Sequence, residues 1–232
     1  MLSEHERFVR SLENTKEHER HKKKYDEYPV SRVSRFFGNI LINTLNIIYG
    51  ARPSYQKFKA IELVARIPYQ SWEMVSYWLM TFFFTNEEKS IKYSKASDFG
   101  KIGQDNETMH VVVISQICQQ EGKGNIFWHT FIPVIMSHVY FVFSYVLFVV
   151  NPRFSYELNY LFEEHAYEQY DEFLKNPELK KKTFKSKYLE YYGRESKTQY
   201  DFFLSVRNDE LAHRNNSIIE IECLNDFCKK KK

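Results

Sequence analysis

Asn106-Glu-Thr-Met-His110 and Arg207-Asn-Asp-Glu-Leu-Ala-His213 organise the rest of this chain around them. Each carries a glutamate three residues before a histidine. On a helix that spacing puts carboxylate and imidazole on one face, where both can address a single metal centre. Counting alone is weak support: 23 glutamates and eight histidines in 232 residues make about one such pair by chance. Placement adds to it. His110 opens the apolar run Val111 to Ile114, and Glu210 follows Phe202, Phe203, Leu204 and Val206, so both units belong to amphipathic helices.

Two further glutamates lie where solvated acids are unusual. Glu62 sits in Ala60-Ile-Glu-Leu-Val-Ala65, and Glu163 follows Tyr160-Leu-Phe in an aromatic-rich segment. A buried carboxylate needs a cation or a metal as partner. The chain order is then Glu, ExxH, Glu, ExxH on four helices, the ligand pattern of ferritin-like carboxylate-bridged di-iron or di-manganese bundles. Four carboxylates balance two divalent metals, and oxygen with imidazole donors suits iron or manganese. In such sites Glu107 and Glu210 are the natural bridges, and Glu62 and Glu163 are terminal. Neither HExxH nor a Cys/His cluster is present, which disfavours a zinc hydrolase. The competing account is ion-paired acids and satisfied core histidines, stronger for either pair alone than for six ordered residues. Tyr160, Tyr167 and Tyr170 share the helical face of Glu163, where aromatic packing is the ordinary explanation.

The remaining chain fits an all-α fold. Glycine and proline total 13 residues, about half their usual share, which excludes turn-rich β and collagen-like architectures. Six helices are expected: about Val30 to Tyr49, Tyr55 to Thr85 with a kink at Pro68, Asp105 to Gln120, Phe127 to Val150, Phe154 to Leu174, and Tyr200 to Asn225. Residues 1–29, with 14 charges in the first 27, read as a solvated or partly helical arm, neither a secretory signal nor a transit peptide. Residues 30–228 form the main domain, and Lys229 to Lys232 a basic tail. A net charge of +3 gives no case for nucleic acid. Three cysteines without a CxxC indicate no disulfide scaffold. Gly124 to Pro152 lacks any Asp, Glu, Lys or Arg, and is long enough to cross a bilayer. Crossing would tend to put the four ligand segments on opposite sides, so a face resting in one leaflet is expected instead. The Phe, Trp and Tyr content, 17%, then has a use beyond core packing.

With these residues in place, the chain resembles the alternative oxidases, most closely their plastid terminal oxidase (plastoquinol oxidase) branch. Glu62-Leu-Val-Ala-Arg-Ile-Pro-Tyr69 is similar to that branch's first-glutamate motif, and Asn106-Glu-Thr-Met-His110 to its asparagine-led ExxH. Asn151-Pro-Arg153 with Glu163-Glu-His-Ala-Tyr-Glu-Gln-Tyr-Asp-Glu-Phe-Leu174 is similar to the third, and Arg207 to His213 to the last. The likeness spans about Ile40 to Glu222.

The resemblance implies a membrane-attached, non-pumping quinol oxidase that reduces dioxygen to water at two iron ions. The implied ligands are Glu62, Glu107, His110, Glu163, Glu210 and His213. Tyr170 matches a tyrosine kept beside the metals, and Asn106 and Asp209 match outer positions. Lys57, Ile61, His165 and Ala166 fall at quinol-lining positions. Lys57 stands where the family usually has arginine, which keeps the charge and loses the guanidinium fork. The last helix region lacks tryptophan, so its role there is vacant or falls to Tyr191 or Tyr192. Plastoquinol and O2 are the implied substrates, one leaflet of lipid the partner, and a homodimer a candidate assembly. The absence of an insertion before the last ligand helix, and of a transit peptide, favours a bacterial or phage-encoded origin. The cytosolic face of a bacterial or thylakoid-type membrane is then the expected location. The first and fourth helices are expected to supply the lipid face, with Trp128, Tyr140 and Tyr145 as interface candidates and Lys180, Lys181, Lys182, Lys185 and Lys187 as headgroup contacts. The rival classes are a di-iron desaturase or hydroxylase, and a ferritin-like iron-binding membrane protein without turnover.

Overall fold

The computed structural model describes residues 4–122 and 124–229, with side chains through Leu224. The described residues form the helices α1 (Glu4–Ser11), α2 (Thr15–Lys23), α3 (Arg32–Tyr49), α4 (Tyr55–Phe83), α5 (Glu87–Gln120), α6 (Ile132–Val150), α7 (Pro152–Phe173), α8 (Lys187–Tyr192) and α9 (Gln199–Lys229). A π-helical turn, Phe127–Phe131, leads into α6. The only β feature among the described residues is an isolated bridge between Thr183 and Thr198. Residues 230–232 of the expected basic tail lie outside the described residues.

Local chemistry starts these helices where the sequence marks them. Ser31, Ser54, Asn86, Asn151 and Ser186 each cap a helix by accepting a backbone N–H of its first turn. Pro152 opens α7 at a position whose N–H has no helical partner to lose. Gly193 ends α8 at φ 88°, a left-handed conformation that glycine adopts without a Cβ clash. α4 continues as one helix through Pro68.

Four long helices make the bundle: α4 pairs with α5, and α7 with α9. α6 lies on α4, and α3 on α7, so these two cover one side. On the other side α1 and α2 pack on α9, and α8 packs on α5. The arm is therefore helical, and it is not simply solvated. Glu6, Val9 and Leu12 are buried, whereas α2 buries none of its residues.

α5 corrects one expectation, because it begins at Glu87 instead of near Asp105. Residues 88–104 are too polar to show a 3.6-residue apolar period, yet they pack tightly. A Cβ on Gly100 would lie 2.7 Å from the Tyr69 carbonyl oxygen, and one on Gly103 would lie 2.4 Å from the Tyr69 ring. Two glycines thus let α5 approach α4 more closely than side chains would allow. Tyr140 is a second correction. It is buried in the main core, not placed at an exposed interface, while Trp128 is exposed and Tyr145 is partly buried against Phe141.

Candidate metal centre

Each bundle helix delivers its ligand candidates to one buried point. Glu62, Glu107, His110 and Glu210 bring ligand atoms within 4.8 Å of one another, and so do Glu107, Glu163, Glu210 and His213. Glu107 and Glu210 belong to both groups. That geometry would suit two adjacent metal ions, with Glu107 and Glu210 common to both groups and one further Glu with one His in each. All six side chains are buried.

The hydrogen bonds test whether metals fit. Both oxygens of Glu107, both of Glu210, Glu163 Oε2 and both ring nitrogens of His213 are buried without a hydrogen bond among the described residues. His213 Nδ1 nevertheless lies 2.6 Å from Glu107 Oε1. His110 Nδ1 lies 3.1 Å from Glu62 Oε2, 3.4 Å from Glu107 Oε2 and 3.3 Å from Glu210 Oε1. Native cores rarely leave so many polar atoms unsatisfied together. Here they face one another across a common point, and two cations there would satisfy them.

The electrostatics agree. Burial, then the charge of Glu107, pushes the Glu62 carboxyl well above the usual range. Glu210 is pushed well up by burial and by the neighbouring acids, and Glu163 is raised by burial and by Glu107. Burial also acts on Glu107, but His110 and His213 outweigh it and hold that carboxyl low. Four carboxylates with two imidazoles in a dry core lack positive charge, and a pair of divalent ions supplies it.

Outer residues fix the orientation of these groups. His110 Nε2 donates to Asp209 Oδ2 at 2.9 Å, which leaves Nδ1 facing the glutamates. Arg194 forks onto both Asp209 oxygens and also reaches Glu6. Burial opposes the Asp209 charge, yet Arg194 above all holds its carboxyl well below the usual range. Tyr69 donates to Glu163 Oε1 at 2.9 Å, and Asn159 Nδ2 donates to the same oxygen at 3.1 Å. Asn106 Nδ2 donates to the Tyr192 hydroxyl at 3.1 Å, which puts Tyr192 one hydrogen bond from the residue preceding Glu107. Tyr191 is exposed.

Tyr170 reaches the centre directly, donating a short hydrogen bond to Glu62 Oε1. Its ring stacks on Phe58, with centroids 4.1 Å apart, and on Phe203. Burial, followed by the Glu62 charge, pushes its phenol well above the usual value.

The four quinol candidates are less gathered. Lys57 is buried, and its Nζ donates to Asn46, to the Ala51 carbonyl and to Gln169 at 2.7–3.0 Å. Ile61 and Ala166 are buried in the main core, and His165 Nε2 is buried without a hydrogen bond. None of the four lines the apolar groove of about 430 Å³ that opens between α3 and α6, whose walls include Phe37, Leu41, Met136 and Tyr140 and whose floor includes Val64 and Leu158.

Sequence reasoning missed Tyr69, Asn159, Arg194, His5 and Glu6. Tyr69 is seven residues after Glu62 and Asn159 four before Glu163, each one helical face from a ligand. Arg194, in a loop, and His5 and Glu6, in a charged arm, carry no such signal.

Ubiquinol oxidase 4, chloroplastic/chromoplastic, of Arabidopsis thaliana is 26% identical to this chain over 204 residues, covering 78% of the chain and 55% of that relative. The chain thus spans about half the length of the curated relative it matches. No solved structure matches it. The family model for alternative oxidase matches residues 8–219, the stretch that contains all six clustered glutamates and histidines. The chain belongs to the alternative oxidase family.

Proposed function

We propose that this protein is a membrane-attached, non-pumping quinol oxidase. Two quinols give up four electrons and four protons and become quinones, and one O2 takes up all eight to form two waters. The observation that supports this most is the pair of four-residue groups sharing Glu107 and Glu210, with the Tyr170 hydroxyl on a terminal glutamate, in a chain of this family. Two iron ions held by those six residues supply the dioxygen chemistry.

The side chains position that chemistry. Tyr170 is the redox candidate, and its hydroxyl proton already points at Glu62 Oε1, so electron loss from the ring can be matched by proton transfer along one hydrogen bond. Tyr69 and Asn159 fix Glu163, and Asp209 with Arg194 fixes the His110 tautomer. Lys57, Ile61, His165 and Ala166 are the proposed quinol contacts.

Quinol is lipid-soluble, so its route must meet a bilayer. The segment Phe127–Val150 is apolar enough to cross one, yet only Pro133, Ser137, Tyr140, Ser144 and Phe148 of it are buried, unlike a core helix. Its exposed valines and the exposed Phe36, Ile40 and Ile47 of α3 form one apolar side, which we assign to a single leaflet. Plastoquinol is favoured by the motif resemblance, and the cytosolic face of a bacterial or thylakoid-type membrane by the same resemblance. Oxygen uptake with plastoquinol and with ubiquinol tests the activity. Protein that holds two irons and consumes no oxygen with either quinol would sink the oxidase reading and leave the desaturase and ferritin-like rivals.

A further inference from the structure

The side of the centre away from α3 and α6 has its own closure. A cavity of about 420 Å³ lies beneath α1, walled by His5, Phe8, Ile102, Asn216 and Ile219 and reaching the ligand candidate His213. His213 is 2% exposed, and neither of its ring nitrogens makes a hydrogen bond. α1 stands over this approach, with His21 and Lys24 from the end of α2 at its rim. Its His5 stacks on His213 with ring centroids 5.8 Å apart, and His5 Nε2 donates to Asp209 Oδ1 at 2.9 Å. Its Glu6 is buried against Arg194, which grips the same Asp209 that orients His110. One short helix therefore touches both imidazoles of the centre, one by stacking and the other through Asp209.

We infer that α1 is a displaceable cover, and that the cavity beneath it is the entrance by which divalent iron reaches and leaves the two metal positions. His5 and Glu6 are its positioning residues. The centre is otherwise enclosed by four packed helices, and the groove between α3 and α6 on the opposite side is lined almost wholly by apolar side chains, where a hydrated divalent ion is strongly disfavoured. On the α1 side the inner end of the cavity presents an unsatisfied imidazole, a ligand suited to such an ion. An eight-residue helix held mainly by one buried ion-pair network and a small apolar patch opens at less cost than a bundle helix.

This inference rests on the metal-centre reading, and cobalt(II) exchange separates the two. Apo wild type should bind two cobalt ions per chain, seen in the ligand-field bands; failure to do so would remove the centre itself. Given two ions, Glu6→Gln and His5→Ala should load cobalt, and release it to a chelator, at least tenfold faster than wild type with the same final stoichiometry. Ile102→Trp, at an exposed position on the cavity wall, should slow loading at least fivefold. Should Glu6→Gln fail to fold, the other two, at less buried positions, still decide. Loading at the wild-type rate in both His5→Ala and Ile102→Trp overturns the entrance, whatever happens to release.

Discussion

Tyr170 and Tyr69 show how two tyrosines with similar surroundings differ in use. Both are fully buried, and each donates to a terminal glutamate, Tyr170 to Glu62 and Tyr69 to Glu163. Tyr69 shares its oxygen with Asn159, so Glu163 keeps one hydrogen bond when Tyr69 is changed. Among the described residues Tyr170 is the only phenol on Glu62, and it stacks on Phe58 in an aromatic box that Phe replacement would leave intact. Tyr170→Phe should retain two irons per chain and cost about 1–2 kcal/mol of stability from one lost buried hydrogen bond. Oxygen uptake should fall at least a hundredfold. Uptake within threefold of wild type at full iron loading would show that Tyr170 only packs. Glu163→Ala should lose both uptake and part of the iron, read by metal analysis, because it removes a carboxylate from one of the two groups.

At the scale of elements, the four helices that carry the clustered glutamates were legible because each carries an acid on an apolar face, and such a face has a period that sequence displays. The first half of α5 was not legible, because what holds it is a lack of side chains. Gly100 and Gly103 let it lie against the Tyr69 backbone and ring, and glycine spacing without an apolar stripe gives no helical signal. Gly100→Ala should therefore cost about 1–3 kcal/mol in chemical unfolding, because its neighbours include backbone atoms that cannot rotate away. It should also lower metal occupancy, since Tyr69 would move with α4; an unchanged midpoint would refute the close approach. The arm offers a pH test at the same scale. Partial burial, then the Arg207 charge, lowers His18 to about 4, and its Nε2 lies 3.2 Å from the Tyr167 hydroxyl. A lowered folded value means the unfolded chain binds more protons between pH 4 and the ordinary 6.5. Stability therefore rises with pH across that window and is lost as pH falls through it. The full shift would be worth about 3 kcal/mol, and because His18 is only partly buried solvent screening cuts it to on the order of 1–2 kcal/mol, lost by wild type relative to His18→Gln between pH 6.5 and 4. Parallel unfolding curves for the two proteins would rule this out.

Across the whole molecule, the aromatic surplus divides between two surroundings. Phe58, Tyr69, Tyr170, Phe173 and Phe203 pack beside the centre, and Trp72, Phe99 and Tyr156 pack farther along the bundle, so a large share of the aromatic content goes to packing. The share expected to face lipid was overestimated at Tyr140, which is buried, because composition says which segment is apolar and not which side of it turns inward. The apolar side is made chiefly of aliphatic residues: Ile47, 84% exposed, on α3, and Val142, 63% exposed, on α6. Neither lines the groove between α3 and α6. Charging both positions should weaken binding to anionic lipid vesicles by roughly 30–150-fold, as expected when two aliphatic side chains of about 1–1.5 kcal/mol each no longer enter the bilayer. Because α3 and α6 lie outside the four ligand-bearing helices, Ile47→Glu with Val142→Glu should keep two irons per chain and uptake with a short-chain quinol in detergent. Oxygen uptake with long-chain quinol in vesicles should drop in proportion to the bound fraction. A double variant that floats with vesicles as wild type does would place the lipid contact elsewhere on the molecule. One that loses iron would show that these positions support the bundle and do not rest in the membrane.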